Sequence, residues 1–255
     1  MNRRTFLKTL PAFTVLAGSA SSSAENPQQN RPAKPLTEGD KSMPAGTTPG
    51  SARDLQPITL LKPQTDGGKS VLAALRERRT NRKIKADKLP PQVLSNLLWA
   101  AFGVNREKAP FGKQGRTAPS ASNSQEIDLY VVLPEGVYLY EAVPHRLTPI
   151  VSGDFRARSG RGAATTAAVN IFYVVDLTRY DSGKGQPDRR IGDPEVQKSY
   201  YYTATGLIAE NVYLFAASQG LAAWFHNCDK KNTADEFKLR PEQHVLFAQT
   251  VGYPA

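Results

Sequence analysis

Leu75-Arg76-Glu77-Arg78-Arg79-Thr80-Asn81-Arg82 packs four arginines and a threonine into what reads as the last turn of a helix and its exit. Guanidinium groups present planar, forked donors that stay charged at any working pH. With a hydroxyl and loop amides beside them they can hold a phosphate. The same cluster would also suit a solvated helix end, where unpaired carbonyls and the negative pole of the dipole attract cations. The choice between the two depends on the rest of the chain.

Upstream, Val71, Leu72 and Leu75 share one face of that helix, Ser70 stands where an N-cap is needed, and Asp66-Gly67-Gly68 turns the chain into it. Ile58, Leu60 and Leu61 form an extended lead-in, so one folded domain is expected over 57–255. Residues 25–56 are rich in Pro, Gly, Ser, Gln and Thr and almost free of large apolar side chains. Such a segment cannot offset its ordering entropy by burial and reads as a disordered linker. Residues 1–24 read as an export signal of the twin-arginine type: Asn2-Arg3-Arg4-Thr5-Phe6-Leu7-Lys8, a moderately apolar run, then small residues to Ala24. The apolar run is too short and weak to span a bilayer, and no cysteine follows it, which leaves no stable membrane anchor. The expectation is an exported, periplasmic protein carried across already folded.

Downstream, Pro90 and Pro91 open a second helix in which Val93, Leu94, Leu97, Leu98, Ala101 and Phe102 recur at helical spacing, and Gly103 ends it. Residues 104–126 read as a polar loop. The closely spaced runs Ile127 to Leu133, Val137 to Glu141 and Arg146 to Val151 predict an antiparallel meander. Val169 to Val175 reads as a buried strand, and 181–194 as a polar insertion over the surface. Glu195 to Gln219 is the longest helix, with Leu207, Val212, Leu214, Phe215 and Ala217 turned inward, and Gly220 stops it. Leu221 to Phe225 and Val245 to Tyr253 are extended.

The chain of 255 residues, 40% hydrophobic, can bury one large core. Its formal charge is +10; without Arg3, Arg4 and Lys8 of the signal, 30 cationic side chains face 23 acids, a net of +7. That balance attracts anions without reading sequence, and with no zinc-finger, helix-turn-helix or RNA-binding signature no specific nucleic-acid partner is expected. A single cysteine, Cys228, excludes an intrachain disulfide, and His145, His226 and His244 lack ligand spacing, so no metal site is expected. Cys228 reads as a buried small apolar residue ahead of a redox thiol, and Tyr200, Tyr201 and Tyr202 as helix packing plus surface ahead of a stack on a substrate or flavin. Gly160-Arg161-Gly162-Ala163-Ala164 precedes a strand instead of following one, which rules out a dinucleotide fingerprint, and Gly112-Lys113 lacks the rest of a P-loop.

Three separated stretches, taken together, resemble the nitroreductase superfamily of flavin enzymes over 57–255. Arg78-Arg79-Thr80-Asn81-Arg82 looks like that family's Arg-Arg-Ser-x-Arg motif. Ala118-Pro119-Ser120-Ala121-Ser122-Asn123-Ser124-Gln125 looks like its Pro-Ser-x-x-Asn-x-Gln loop, and Gly220-Leu221-Ala222-Ala223-Trp224-Phe225 follows the long helix as in the family. Leu129-Tyr130-Val131-Val132 and Gly136-Val137-Tyr138-Leu139-Tyr140 are closest to the SagB-type branch, which includes azoline oxidases. The resemblance implies an α+β fold with a central antiparallel sheet flanked by helices, working as a homodimer. It implies FMN as cofactor, with Arg78, Thr80 and Arg82, and less directly Arg79, at its phosphate and ribityl chain. Ser120, Ser122, Asn123 and Gln125 would come from the partner chain, and the backbone around His226 and Asn227 would approach the reactive edge of the ring. A flavin performs its own redox chemistry, so no catalytic acid, base or nucleophile is assigned.

The chain departs from its relatives in ending at Gly252-Tyr253-Pro254-Ala255, where many of them add a cation for the phosphate, and in reading His226-Asn227-Cys228 where many have Gly or Glu. Those departures support a competing expectation, a binding protein of the same fold that has lost its cofactor. A further alternative is an azoline oxidase acting on a modified peptide, which the export signal opposes. For an exported enzyme a dissolved nicotinamide pool is out of reach, so a quinol, a redox protein or the small-molecule substrate itself is the expected electron partner.

Overall fold

The computed structural model describes residues 55–180 and 189–255. The expected signal, nearly all of the linker and most of the 181–194 insertion lie outside them. Strand β1 (Ile58–Thr59) and helices α1 (Val71–Glu77) and α2 (Pro91–Phe102) come first, followed by a ribbon of β2 (Val104–Arg106) and β3 (Gly115–Arg116). Next come the meander strands β4 (Ile127–Leu133), β5 (Gly136–Glu141) and β6 (Arg146–Ser152), then β7 (Val169–Asp176). Helix α3 (Pro194–Ser218), β8 (Ala222–His226), α4 (Lys230–Glu236) and β9 (Gln243–Gly252) complete the chain.

Seven strands form one antiparallel sheet in the order β1-β6-β5-β4-β7-β9-β8. The continuous apolar run of β7 fits its central place, since every one of its residues is buried. Alternation along the strands sorts two cores. Leu129, Val131, Ile171 and Tyr173 face α2 and α3, meeting Leu97, Leu98, Ile208 and Val212. Tyr130, Val132, Phe172 and Val174 face the other way onto Phe155 and Phe237. Helix α3 is capped by Asp193, which accepts from Glu195 N–H at 2.9 Å, and ends where Gly220 takes φ +70°. Among the described residues no helix is long and apolar enough to cross a membrane.

Four details differ from the expectations. Helix α1 stops at Glu77, because Arg78 turns to φ −54°, ψ 124° and the chain leaves it extended. Its apolar face is not buried: Val71 is 68%, Leu72 79% and Leu75 50% exposed. Leu207 of α3 also faces outward. Helix α4 and the β2–β3 ribbon went unforeseen. The residues of α4 show no apolar period; it is anchored by Phe237 at its end, buried against Tyr130, Phe155 and Phe172, and joined by ion pairs from distant Arg158 to the N-cap Asp229 (3.4 Å) and to Glu236 (2.6 Å).

One buried contact ties α3 to the sheet. The Tyr173 hydroxyl donates to Gln249 Oε1, while Gln249 Nε2 donates to the Ala209 carbonyl at 3.2 Å, and both side chains are fully buried. Tyr173→Phe strands the amide oxygen without a donor, so it should lower unfolding free energy by about 1–3 kcal/mol. A denaturant titration checks this, with the midpoint falling at unchanged slope.

Candidate functional site

Beyond α1 the arginine segment runs as a short extended strand along the free edge of β8. Thr80 bridges Ala223 in parallel, Asn81 N–H donates to the Ala223 carbonyl at 2.9 Å, and Lys85 N–H to the Tyr253 carbonyl at 2.8 Å. An extended chain alternates its side chains, and the arginines are distributed accordingly. Arg78, at the helix exit, and Arg79 and Asn81 line a cavity of about 550 Å³ with Lys69, Arg76, Glu77, Tyr213, Gly220 and Pro254 among its other walls. Thr80 turns to the Tyr213 hydroxyl (3.0 Å), and Arg82 lies over the Trp224 ring at 5.5 Å. Arg78 and Arg82, which the resemblance assigned together to the phosphate and ribityl chain, thus lie over different rings, Tyr213 and Trp224.

Tyr213, which sequence reasoning missed, is the junction. Its oxygen accepts the Phe225 N–H at 2.8 Å and meets Thr80 Oγ1, and the Arg78 guanidinium stands 5.4 Å over its ring. The legible signal was a phenol on the inward stripe of α3, among Ala209, Val212 and Ala216; a buried tyrosine hydroxyl calls for a polar partner. Arg78 also approaches Glu210 Oε1, at 3.7 Å.

His226 lies against Trp224, ring centroids 4.2 Å apart and planes tilted by 42°, and so neighbours Arg82. Its Nδ1 meets the Asn227 carbonyl at 2.9 Å and its Nε2 meets Thr250 Oγ1 at 2.8 Å, while Thr250 donates to Asn170 Oδ1 at 2.6 Å. Because the Thr250 proton is directed at Asn170, only an imidazolium would supply a proton to both ring contacts. Burial is the larger effect. It holds the His226 pKa below the ordinary histidine value, against the pull of the Asn227 and Ser159 carbonyls and with the aid of Arg82. Burial pushes the neighbouring Cys228 thiol up to about 12, which keeps it protonated and in the small-apolar role expected of it.

Ser120, Ser122, Asn123 and Gln125 lie elsewhere. Ser120 Oγ accepts Gln125 N–H (2.9 Å), Gln125 Nε2 donates to the Gln114 carbonyl (2.7 Å), Arg116 donates to Gln125 Oε1 (2.8 Å) and Asn123 Nδ2 to the Pro110 carbonyl (3.1 Å). These bonds hold three positive-φ residues, Ser122 (49°), Asn123 (52°) and Gln125 (56°), in a conformation that side chains usually avoid. The loop leads into β4 at the level of Ile127, opposite Val175 of β7. Thr80 stands beside Ala223, whose level runs through Val251 to Val169. From Val169 to Val175 the strand climbs about 20 Å at ~3.3 Å per residue. Within one chain, therefore, the structure brings Arg78, Arg79 and Thr80 together, sets Arg82, His226 and Asn227 on the adjoining shelf, and keeps the serine-rich loop apart.

A large antiparallel sheet clad in helices, with a cationic cleft at its edge, defines a mixed α/β protein equipped to bind an anionic group. The nitroreductase family model matches residues 75–253, and the chain belongs to that family of oxidoreductases, typically flavin-dependent. A provisionally named nitroreductase of Methanocaldococcus jannaschii is 28% identical over 182 residues, 69% of this chain and 87% of that protein. The crystal structure of another provisionally named nitroreductase, from Ralstonia eutropha, superposes with a TM-score of 0.70 at 32% identity, covering 81% of this chain and 93% of the other. A chain of the E. coli microcin synthetase complex has the same fold, at 17% identity and a TM-score of 0.57 over 77% of each chain.

The depressed His226 pKa has a signed consequence. Between the folded value and the unfolded one near ~6.5, the unfolded chain binds more protons, so stability falls as pH drops below that point and is insensitive to this group above it. His145, whose pKa burial also lowers, acts in the same direction. Unfolding free energies should decline from pH 7.5 to 5.5, and His226→Gln should flatten that slope; an unchanged slope would contradict the assignment.

Proposed function

We infer that this chain is an exported, FMN-dependent oxidoreductase of the nitroreductase type that acts as a homodimer. The observation that carries the reading is the cavity of about 550 Å³ walled by Lys69, Arg76, Arg78 and Arg79 in a chain of this family. The donor set fits the group: forked guanidinium donors and an ammonium suit a phosphate dianion, and Asn81 adds an amide for a ribityl chain, while the Thr80 hydroxyl turns to Tyr213, a wall of the same cavity. Bound FMN would supply reversible uptake and release of a hydride or of single electrons.

The chain's own residues hold and orient it. Arg78 and Arg79 take the phosphate end, while Arg82, on the Trp224 shelf beside His226 and Asn227, serves the ring end. Ser120, Ser122, Asn123 and Gln125 complete the site from a second copy, which is supported by the ~20 Å climb separating their end of the sheet from Thr80. The exposed Val71, Leu72 and Leu75 supply apolar surface for that association. Within the family we favour the SagB-type branch, on the meander residues Leu129 to Val132 and Gly136 to Tyr140. Export by the N-terminal segment places the enzyme in the periplasm, with a quinol or redox protein as electron partner of an unidentified small-molecule substrate.

The purified full chain should be yellow, release FMN on denaturation and scatter light as twice the chain mass. Arg78→Ala removes a charged, forked contact of about 2–3 kcal/mol, roughly a hundredfold in FMN affinity. Stopped-flow mixing with NADH should reduce the bound flavin only sluggishly. A colourless monomer that takes up no FMN would defeat the reading, and rapid, saturable reduction by NADH would defeat the donor assignment alone.

A further inference from the structure

The cavity wall carries more positive charge than the arginine motif accounts for. Lys69 and Arg76 join Arg78 and Arg79 on it, against one carboxylate, Glu77. Lys69 reaches this wall from the far end of α1. It is seated there by the Asp66-Gly67-Gly68 turn, in which Gly67 (φ 102°) and Gly68 (φ 72°) take conformations that favour glycine, and by donation of its backbone N–H to the Ser218 carbonyl at 3.2 Å, at the close of α3. Its ammonium lies along the helix and pairs with the Glu77 carboxylate, eight residues on. The two side chains are 43% and 40% exposed, and a pair so open to water is held weakly and exchanges readily.

The charges balance in a telling way. With Glu77 on the wall and Glu210 drawn up to Arg78 at 3.7 Å, the four cations keep an excess of two. That excess matches a phosphate monoester, which carries about −1.5 to −2 at neutral pH.

We propose that Lys69 is a phosphate-binding residue of this cleft and that Glu77 is its internal competitor, a carboxylate that occupies the ammonium until a phosphate displaces it. The proposal rests on the reading of the cleft as the seat of the FMN phosphate, and extends it to a residue outside the arginine motif and to an acid that tunes affinity downward. Arriving phosphate takes over the Lys69 ammonium, and Glu77, at the exposed end of α1, turns to water. No bond is made or broken.

The test titrates the full chain, stripped of flavin, with FMN and with riboflavin, which is the same molecule without its phosphate. Lys69→Met should weaken FMN binding about tenfold, the loss of one partly exposed charged contact, and leave riboflavin binding unchanged. Lys69→Arg should keep most of the FMN affinity. Glu77→Gln should tighten FMN and not riboflavin, a gain that misfolding cannot imitate. If Lys69→Met and Glu77→Gln bind FMN as the wild type does while Arg78→Ala binds it poorly, the proposal falls and the flavin reading stands. If the wild type binds neither flavin, both fall. Equal effects of Lys69→Met on FMN and riboflavin would also overturn the phosphate role.

Discussion

The site depends on one phenolic oxygen. By accepting the Phe225 N–H and meeting Thr80 Oγ1, Tyr213 joins the long helix, the edge strand and the arginine segment at a single point. Its own helix is in turn fastened to the centre of the sheet through Gln249 and Tyr173. The position of Arg78 over the Tyr213 ring is thus referred back to the most deeply buried strand of the molecule. This matters because long cationic side chains lose considerable rotamer entropy when they are ordered, and a fixed backbone limits the part of that cost a ligand must meet.

The sheet and helices were largely legible because their signals are periodic. The meander, the central strand and the two long helices fall close to the residues expected. What stayed hidden was set by contacts distant in sequence. Helix α4 is held by Phe237 at its end and by the ion pair from Arg158, and has no apolar period of its own. Helix α1 shows a regular apolar face that the described chain leaves exposed, since amphipathic spacing states that a face will be covered and not by what.

The same limit applied to the site. The cationic residue types were readable in Arg78 to Arg82, yet their grouping was not. The resemblance groups Arg78, Thr80 and Arg82, whereas pairing with β8 makes the segment extended, so Arg79 and Asn81 share the cavity with Arg78 and Arg82 goes to Trp224. Tyr213 and Lys69 were missed for a related reason: neither belongs to a local motif, Tyr213 lying on the inward stripe of the long helix and Lys69 in the turn ahead of α1. The serine-rich loop was singled out by pattern, but its distance from the arginines follows only from strand register.

That distance makes two copies necessary to the proposed site, and the most direct measurement is complementation between defective chains. One chain carries Arg78→Ala and the other Ser122→Ala with Asn123→Ala, each with its own affinity tag, and the doubly tagged heterodimer is isolated and titrated with FMN. In a composite site the two lesions of the pair fall in the same cleft and leave the other cleft intact, so the heterodimer should bind one FMN per two chains with wild-type affinity. If each chain held its flavin alone, every cleft would carry a lesion; a heterodimer without a wild-type site would contradict the account.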